Sequence, residues 1–95
     1  MIMQVANRDT IAGVYVPTSA IAMSVEFDDE MMHVSLADGR IISVPIIWFS
    51  SLRDATPAER ANYEIGPAGI GVYWPDLDED LSIAGLMAGV DLAAA

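Results

Sequence analysis

The chain has 95 residues, no cysteine, four arginines, no lysine and 14 acidic residues, giving a net charge of −10 at pH 7. This length predicts one domain, and a hydrophobic content of 54% is enough for its core. The lack of cysteine excludes disulfides and thiolate chemistry, and the negative charge disfavours direct binding to nucleic acid or to an anionic membrane.

The first 22 residues predict an N-terminal extension and not a secretion signal. Residues 11–23 are mostly apolar, but Pro17 interrupts them and Asp9 offsets Arg8, whereas a signal peptide needs a positive start and a continuous apolar centre. We therefore expect a cytoplasmic protein without a membrane span. Residues 11–16 are compatible with one extra strand. Residues 23–90 are expected to form a single α+β domain, and residues 91–95 a tail.

Apolar and polar residues alternate from residue 23 to 46, which predicts a three-stranded antiparallel meander with strands at 23–27, 32–36 and 40–46. A three-residue loop at 37–39, with Gly39 in the left-handed region, keeps the apolar residues on one face. The resulting register predicts five pairs: Met23 with Leu36, Val25 with Val34, Phe27 with Met32, Val34 with Ile42, and Met32 with Val44.

Helices and one further strand are predicted downstream. Residues 47–52 suggest a short helical turn after Pro45. Thr56, Pro57 and Glu59 form a capping box that starts a helix running to about residue 64. An extra strand is expected near 70–74, followed by an acidic connector at 76–80. A short helix is expected at 82–88, ended by Gly89, with three residues facing inwards: Ile83, Leu86 and Met87. The predicted fold class is thus α+β, with a three- to four-stranded antiparallel sheet and two or three short helices.

Two segments concentrate the carboxylates: residues 28–30 and residues 76–80. Asp76, Asp78 and Asp80 alternate like the start of an EF-hand, but that loop needs glycine at its sixth position and glutamate at its twelfth, where this chain has Leu81 and Met87. No metal or other cofactor is therefore expected. A structural explanation is that carboxylates just before the last helix stabilise its N-terminus.

His33, the only histidine, is predicted to lie across from Glu26 and beside Ser43 on the polar sheet face. A surface ion pair explains it better than catalysis, because serines on a flat sheet face lack an oxyanion hole. The glycines at 66, 69 and 71 lack the lysine of a phosphate loop and are expected to permit tight turns.

Four aromatic residues cluster in the second half of the chain, and the simplest interpretation places them in the core: Trp48, Phe49, Tyr73 and Trp74. Trp74 precedes the acidic connector, however. An aromatic ring surrounded by carboxylates suits recognition of an arginine-bearing surface, so Trp74 is also a candidate partner contact.

Several segments, in this order, resemble the domain-of-unknown-function family DUF2442. The resemblance covers roughly residues 23–89 and leaves out the first 22. It is carried by five runs: residues 25–30, residues 36–45, Trp48-Phe49, residues 55–63 and residues 74–82.

The resemblance implies a small prokaryotic or phage α+β domain with no established catalytic residues. Some such proteins carry a helix-turn-helix after this region and act as the sensing half of a regulator, and others are suspected antitoxin-like partners of a neighbouring small protein. Because this sequence ends at Ala95, a helix-turn-helix is not expected here, and the sensing domain of a transcription regulator without its helix-turn-helix stays open as a further alternative.

Three functions follow as hypotheses. The first is a non-catalytic, antitoxin-like or assembly module that binds a small basic protein. The second is an acidic nucleic-acid mimic, of the anti-CRISPR or anti-restriction type, that occupies a DNA- or RNA-binding groove. The third, an enzyme, is disfavoured. An open strand edge, or the start with Met1 and Met3, is compatible with a homodimer. The predicted partner-binding residues are Trp74, Asp76, Asp78, Glu79, Asp80, Asp28, Asp29 and Glu30.

Overall fold

The computed structural model describes residues 20–89, and the extension and tail predicted at the two ends lie largely outside this range. Its first sheet is the predicted antiparallel meander of β1 (Ala22–Phe27), β2 (Met31–Leu36) and β3 (Ile41–Pro45), in the order β1-β2-β3. Four predicted pairs are present: Val25 with Val34, Phe27 with Met32, Val34 with Ile42, and Met32 with Val44.

The loop between β2 and β3 has the predicted length and conformation. The Leu36 N–H donates to the Arg40 carbonyl over 2.8 Å, which leaves residues 37–39 as the loop. Gly39 has φ +96°, a conformation that glycine adopts without steric penalty. The alternation of side chains and this glycine therefore set the register together.

The fifth predicted pair, Met23 with Leu36, is wrong. An irregularity in β1 pairs Ala22 with Leu36 and Ser24 with Ser35, so Met23 is the extra residue of a bulge. The bulge reverses the alternation of β1 at this point. Ala22 consequently faces the core at 3% exposure, and Met23 is 62% exposed.

A second antiparallel sheet follows, with β4 (Glu64–Ile65), β5 (Gly71–Trp74) and β6 (Glu79–Ser82) in the order β4-β5-β6. β5 is the extra strand predicted near 70–74. The acidic connector, in contrast, is the turn and first residues of a hairpin, because Trp74 pairs with Glu79 and Tyr73 pairs with Asp80.

Short helices link and cover the two sheets. A 3₁₀ turn at Ile46–Trp48 leads into α1 (Ser50–Arg53), and a second 3₁₀ turn spans Pro67–Gly69. The predicted capping box of Thr56 and Glu59 starts α2, which ends at Ala61 and not near residue 64, because Glu64 already pairs in β4. The last helix, α3 (Ile83–Ala88), ends at Gly89 as predicted. Ile83 and Leu86 are buried, but Met87 is 43% exposed, which corrects its predicted inward orientation.

The core joins the two sheets through aromatic side chains. Trp74 is completely buried, its ring lies 6.3 Å from that of Phe27 and 6.4 Å from that of Tyr63, and its indole N–H donates to the Arg60 carbonyl over 3.0 Å. The Tyr63 hydroxyl accepts a hydrogen bond of 3.0 Å from the Val25 N–H of β1. The largest fully buried side chains are those of Trp74, Met32, Leu52, Ile83, Val34 and Val72.

Candidate functional site

The first acidic segment, Asp28–Glu30, connects β1 to β2 and is called the acidic loop here; all three residues are exposed. Asp28 fixes its backbone, since Oδ1 accepts hydrogen bonds from the N–H groups of Glu30 at 2.8 Å and Met31 at 2.7 Å. An aspartate that caps its own turn in this way orders a loop locally. The loop lines a shallow recess of about 430 Å³ together with Met31.

The other oxygen of Asp28 ties the loop to the sheet. Asp28 Oδ2 lies 2.8 Å from His33 Nε2, and His33 Nδ1 lies 2.6 Å from Ser43 Oγ. His33 pairs with Glu26 across the strands as predicted, yet its imidazole contacts Asp28. The hydrogen bond from His33 and the two backbone N–H groups lower the pKa of Asp28 from 3.8 to about 2.

This lowered pKa predicts how acid affects the fold. Because the folded pKa of Asp28 is below its unfolded value of 3.8, its ionised form stabilises the fold above pH 3.8. That contribution is lost as the pH falls towards about 2. The native chain should therefore lose more stability over this interval than Asp28→Asn, as measured by urea unfolding at fixed pH values.

Asp29→Asn is the control for this measurement, because among residues 20–89 the Asp29 carboxylate makes no hydrogen bond or ion pair. Asp29→Asn should follow the native pH dependence. Equal acid sensitivity of Asp28→Asn and the native chain would show that the Asp28 contacts do not stabilise the fold.

The second acidic segment, residues 76–80, forms the tip and first strand residues of the β5–β6 hairpin and is called the acidic hairpin here. Asp76 accepts a hydrogen bond of 2.9 Å from Asn62 Nδ2, and Glu79 accepts one from the Ser51 hydroxyl. Asp78 has φ +50°, a left-handed conformation that aspartate tolerates better than most residues. Asp78 and Asp80 are exposed.

The acidic hairpin does not serve the N-terminus of α3, which corrects the structural explanation given above. Asp76 and Asp78 lie in the hairpin turn and Glu79 and Asp80 begin β6, whereas α3 is capped by Ser82, which accepts a hydrogen bond of 2.9 Å from the Gly85 N–H. The first turn of α3 contains no acidic residue. Within residues 20–89, no group of three or more histidine, cysteine, aspartate or glutamate side chains is arranged to hold a metal ion.

The two tryptophans differ from the sequence prediction in their exposure: Trp74, the predicted partner contact, is buried, and Trp48 is exposed. Trp74 is 0% exposed, so its ring is not available to a partner, and its core interpretation is confirmed. Trp48, predicted to complete the core, is 57% exposed, because the 3₁₀ turn buries Ile46 and directs the next residues outwards. The only sequence signal for this exposure is that an apolar run follows Pro45, which ends the strand.

The two acidic segments are connected to core residues that contact each other. Phe27, which precedes the acidic loop, contacts Trp74, and Trp74 pairs with Glu79 of the acidic hairpin. Within the described part of the chain, no hydrogen bond joins the two segments directly. Each is held by its own contacts: Asp28 with His33, and Asp76 with Asn62.

Solved structures of other proteins resemble this chain. It is similar to the crystal structure of a protein of unknown function from Rhodospirillum rubrum, at 29% identity and a TM-score of 0.69, covering 81% of this chain and 95% of that one. It is also similar to the solution NMR structure of an uncharacterised protein from Chromobacterium violaceum, at 30% identity and a TM-score of 0.66, covering 78% and 70%.

The curated proteins give no match to the chain. No helix between residues 20 and 89 has the length and apolar character needed to cross a membrane. A family model described as a protein of unknown function, DUF2442, matches residues 22–91. The chain therefore belongs to the DUF2442 family.

Proposed function

We propose that the chain is a non-catalytic protein-binding module, an antitoxin-like or assembly partner of a small basic protein, which it binds through the acidic loop and the acidic hairpin. The observation that carries the proposal is that four carboxylates are exposed and have no bonding partner among the described residues. Among residues 20–89, none of the four makes a hydrogen bond or ion pair: Asp29, Glu30, Asp78 and Asp80.

The basic residues of the described chain do not compensate for these charges, because each already has a local contact. Arg53 pairs with Asp54 over 2.9 Å, and Arg40 pairs with Asp38 over 2.7 Å. Arg60 donates to the carbonyl of Leu52 over 2.8 Å. A surface with uncompensated negative charge attracts basic partners and accelerates their association.

The backbone of both segments is held in place before any partner binds. Asp28 caps the acidic loop, and pairing between β5 and β6 frames the acidic hairpin. A surface that is already ordered has less conformational entropy to lose on binding. This supports binding as the task of these carboxylates, beyond keeping the protein in solution.

The proposal is tested by capturing the partner from an extract of the source organism, identifying it by mass spectrometry and measuring its affinity. Glu30→Gln should weaken binding about two- to fivefold, the range of an exposed ion pair. The double variant Asp29→Asn/Glu30→Gln should weaken it further. Asp78→Asn is a suitable variant of the acidic hairpin, since asparagine tolerates the left-handed conformation of that residue.

Glu64→Gln is the matched control, because Glu64 is an exposed glutamate of β4 outside both acidic segments. It removes the same charge and should leave the affinity unchanged. Equal effects of Glu30→Gln and Glu64→Gln would mean that only the overall charge matters. In that case the acidic loop is not a binding site.

Salt dependence separates this function from nucleic-acid mimicry. A mimic relies on many dispersed charges, so its affinity should fall steeply between about 50 and 200 mM salt. A module with apolar contacts at its interface should change less over the same range. A steep slope, with competition by duplex DNA for the captured protein, would favour the mimic.

A further inference from the structure

Two exposed apolar residues belong to a turn whose backbone is hydrogen-bonded to the acidic loop. Ile47 is 69% exposed and Trp48 is 57% exposed, in the 3₁₀ turn that follows β3. The Ile46 N–H donates to the Glu30 carbonyl over 2.9 Å, so this turn is joined directly to the acidic loop. Two residues span at most about 7 Å of chain, which keeps the backbone of Trp48 near Glu30.

An exposed tryptophan next to carboxylates has a defined chemical preference. The face of an indole ring attracts cations, and carboxylates on the same surface attract the same cations independently. Arginine suits such a site better than lysine, because its planar guanidinium stacks on rings and is more weakly hydrated. The chain already contains one contact of this kind, since the Arg60 guanidinium lies 5.6 Å from the centre of the Phe27 ring.

We propose that Trp48 is the aromatic contact for an arginine of the partner, whose neighbouring positive charges pair with Asp29 and Glu30. This inference rests on the proposed function and specifies its partner: a protein segment that presents arginine together with further basic residues. Among residues 20–89, no cation stacks on Trp48, and its ring contact is edge-on to Phe49 at 6.5 Å between centres. Tryptophan and arginine are also the residues that most often dominate the energetics of protein interfaces.

The test measures binding of the full chain to two labelled peptides at physiological salt, by fluorescence anisotropy. One peptide carries six arginines separated by glycine, and the other carries six lysines in the same positions. The native chain should bind the arginine peptide about two- to fivefold more tightly, the range of an exposed cation–π contact. Trp48→Leu, which keeps an apolar side chain but removes the ring, should abolish that preference, and Trp48→Phe should retain part of it.

Ile70→Ala is the matched control, because Ile70 is 64% exposed and belongs to the segment after Gly69, apart from the acidic loop. It should leave the preference for arginine intact. Equal affinity of the native chain for both peptides, or an equal loss in Ile70→Ala and Trp48→Leu, would overturn the role of Trp48. If, in addition, Asp29→Asn/Glu30→Gln weakens both peptides, the acidic loop still binds basic segments and the proposed function stands. Failure of the native chain to bind either peptide would contradict both the role of Trp48 and the proposed function.

Discussion

Trp74→Ala is expected to destabilise the fold by about 3–5 kcal/mol, the usual cost of removing a large aromatic side chain from a core. Trp74 is fully buried, contacts Phe27 and Tyr63, and bonds the Arg60 carbonyl through its indole. Removing it leaves a cavity between the two sheets and an unpaired carbonyl. Because native proteins have unfolding free energies of about 5–15 kcal/mol, the variant should lose a large fraction of its stability. Urea unfolding followed by circular dichroism measures the effect.

Trp48→Ala is the control for this measurement, since it deletes the same side chain at an exposed position. It should change the free energy of unfolding by about 0.5 kcal/mol or less, as surface substitutions usually do. Similar losses in the two variants would contradict the placement of Trp74 in the core and Trp48 on the surface. The comparison also separates stability from binding, because only Trp48 is proposed to contact a partner.

Gly69→Ala is the second substitution with a large expected effect, and it should lower the free energy of unfolding by about 2–4 kcal/mol. Gly69 has φ +70°, where a side chain is strained, and it is buried. An added Cβ would overlap Cγ2 of Ile21 and lie 3.3 Å from the backbone N and O of Ala22. Ile21 is branched at Cβ and has little freedom to move aside, so the steric cost adds to the conformational one. Thermal unfolding should show a clearly lowered midpoint.

Gly39→Ala is a matched comparison for Gly69→Ala. Gly39 also has positive φ, at +96°, but nothing lies within 4 Å of the position of an added Cβ. Only the conformational cost of about 1–2 kcal/mol applies there. If Gly39→Ala were as destabilising as Gly69→Ala, the close approach of residues 21 and 22 to Gly69 would not contribute to the loss of stability.

The first sheet and two helix boundaries were predictable because several local signals agree. Side-chain alternation, the glycine of the 37–39 loop and the need for one apolar face select a single register for β2 and β3. The capping box at Thr56 and the glycine at residue 89 mark a helix start and a helix end through hydrogen bonding and backbone conformation alone. The fold class followed from these elements.

Other features depend on tertiary contacts that the sequence does not encode locally. Ala22 and Met23 are both apolar, so their order gives no sign of the bulge. β6 begins with Glu79 and Asp80, residue types that rarely occur in strands, and its hairpin turn has Asp78 where a glycine is more usual. Ile47 and Trp48 are apolar and therefore resemble core residues in the sequence, although the 3₁₀ turn leaves their side chains exposed.

The candidate surface was predictable in part. The acidic loop and the acidic hairpin were found from composition, and Asp29, Glu30, Asp78 and Asp80 are exposed as that prediction requires. The separate role of Asp28 was not predictable, because it depends on His33 approaching from the adjacent strand. The burial of Trp74 and the exposure of Trp48 were not predictable either, because both lie in apolar runs and the sequence does not show which run is buried.

The bond between the Val25 N–H and the Tyr63 hydroxyl has a consequence for self-association. Since this N–H points away from β2, it belongs to the outer edge of β1, where unpaired backbone groups act as a template for strands of other molecules. The Tyr63 hydroxyl accepts the hydrogen bond of one of these groups, the Val25 N–H. A strand of another molecule must therefore displace Tyr63 before it can pair with this N–H. We therefore expect Tyr63, beyond its place in the core, to hinder edge-to-edge aggregation.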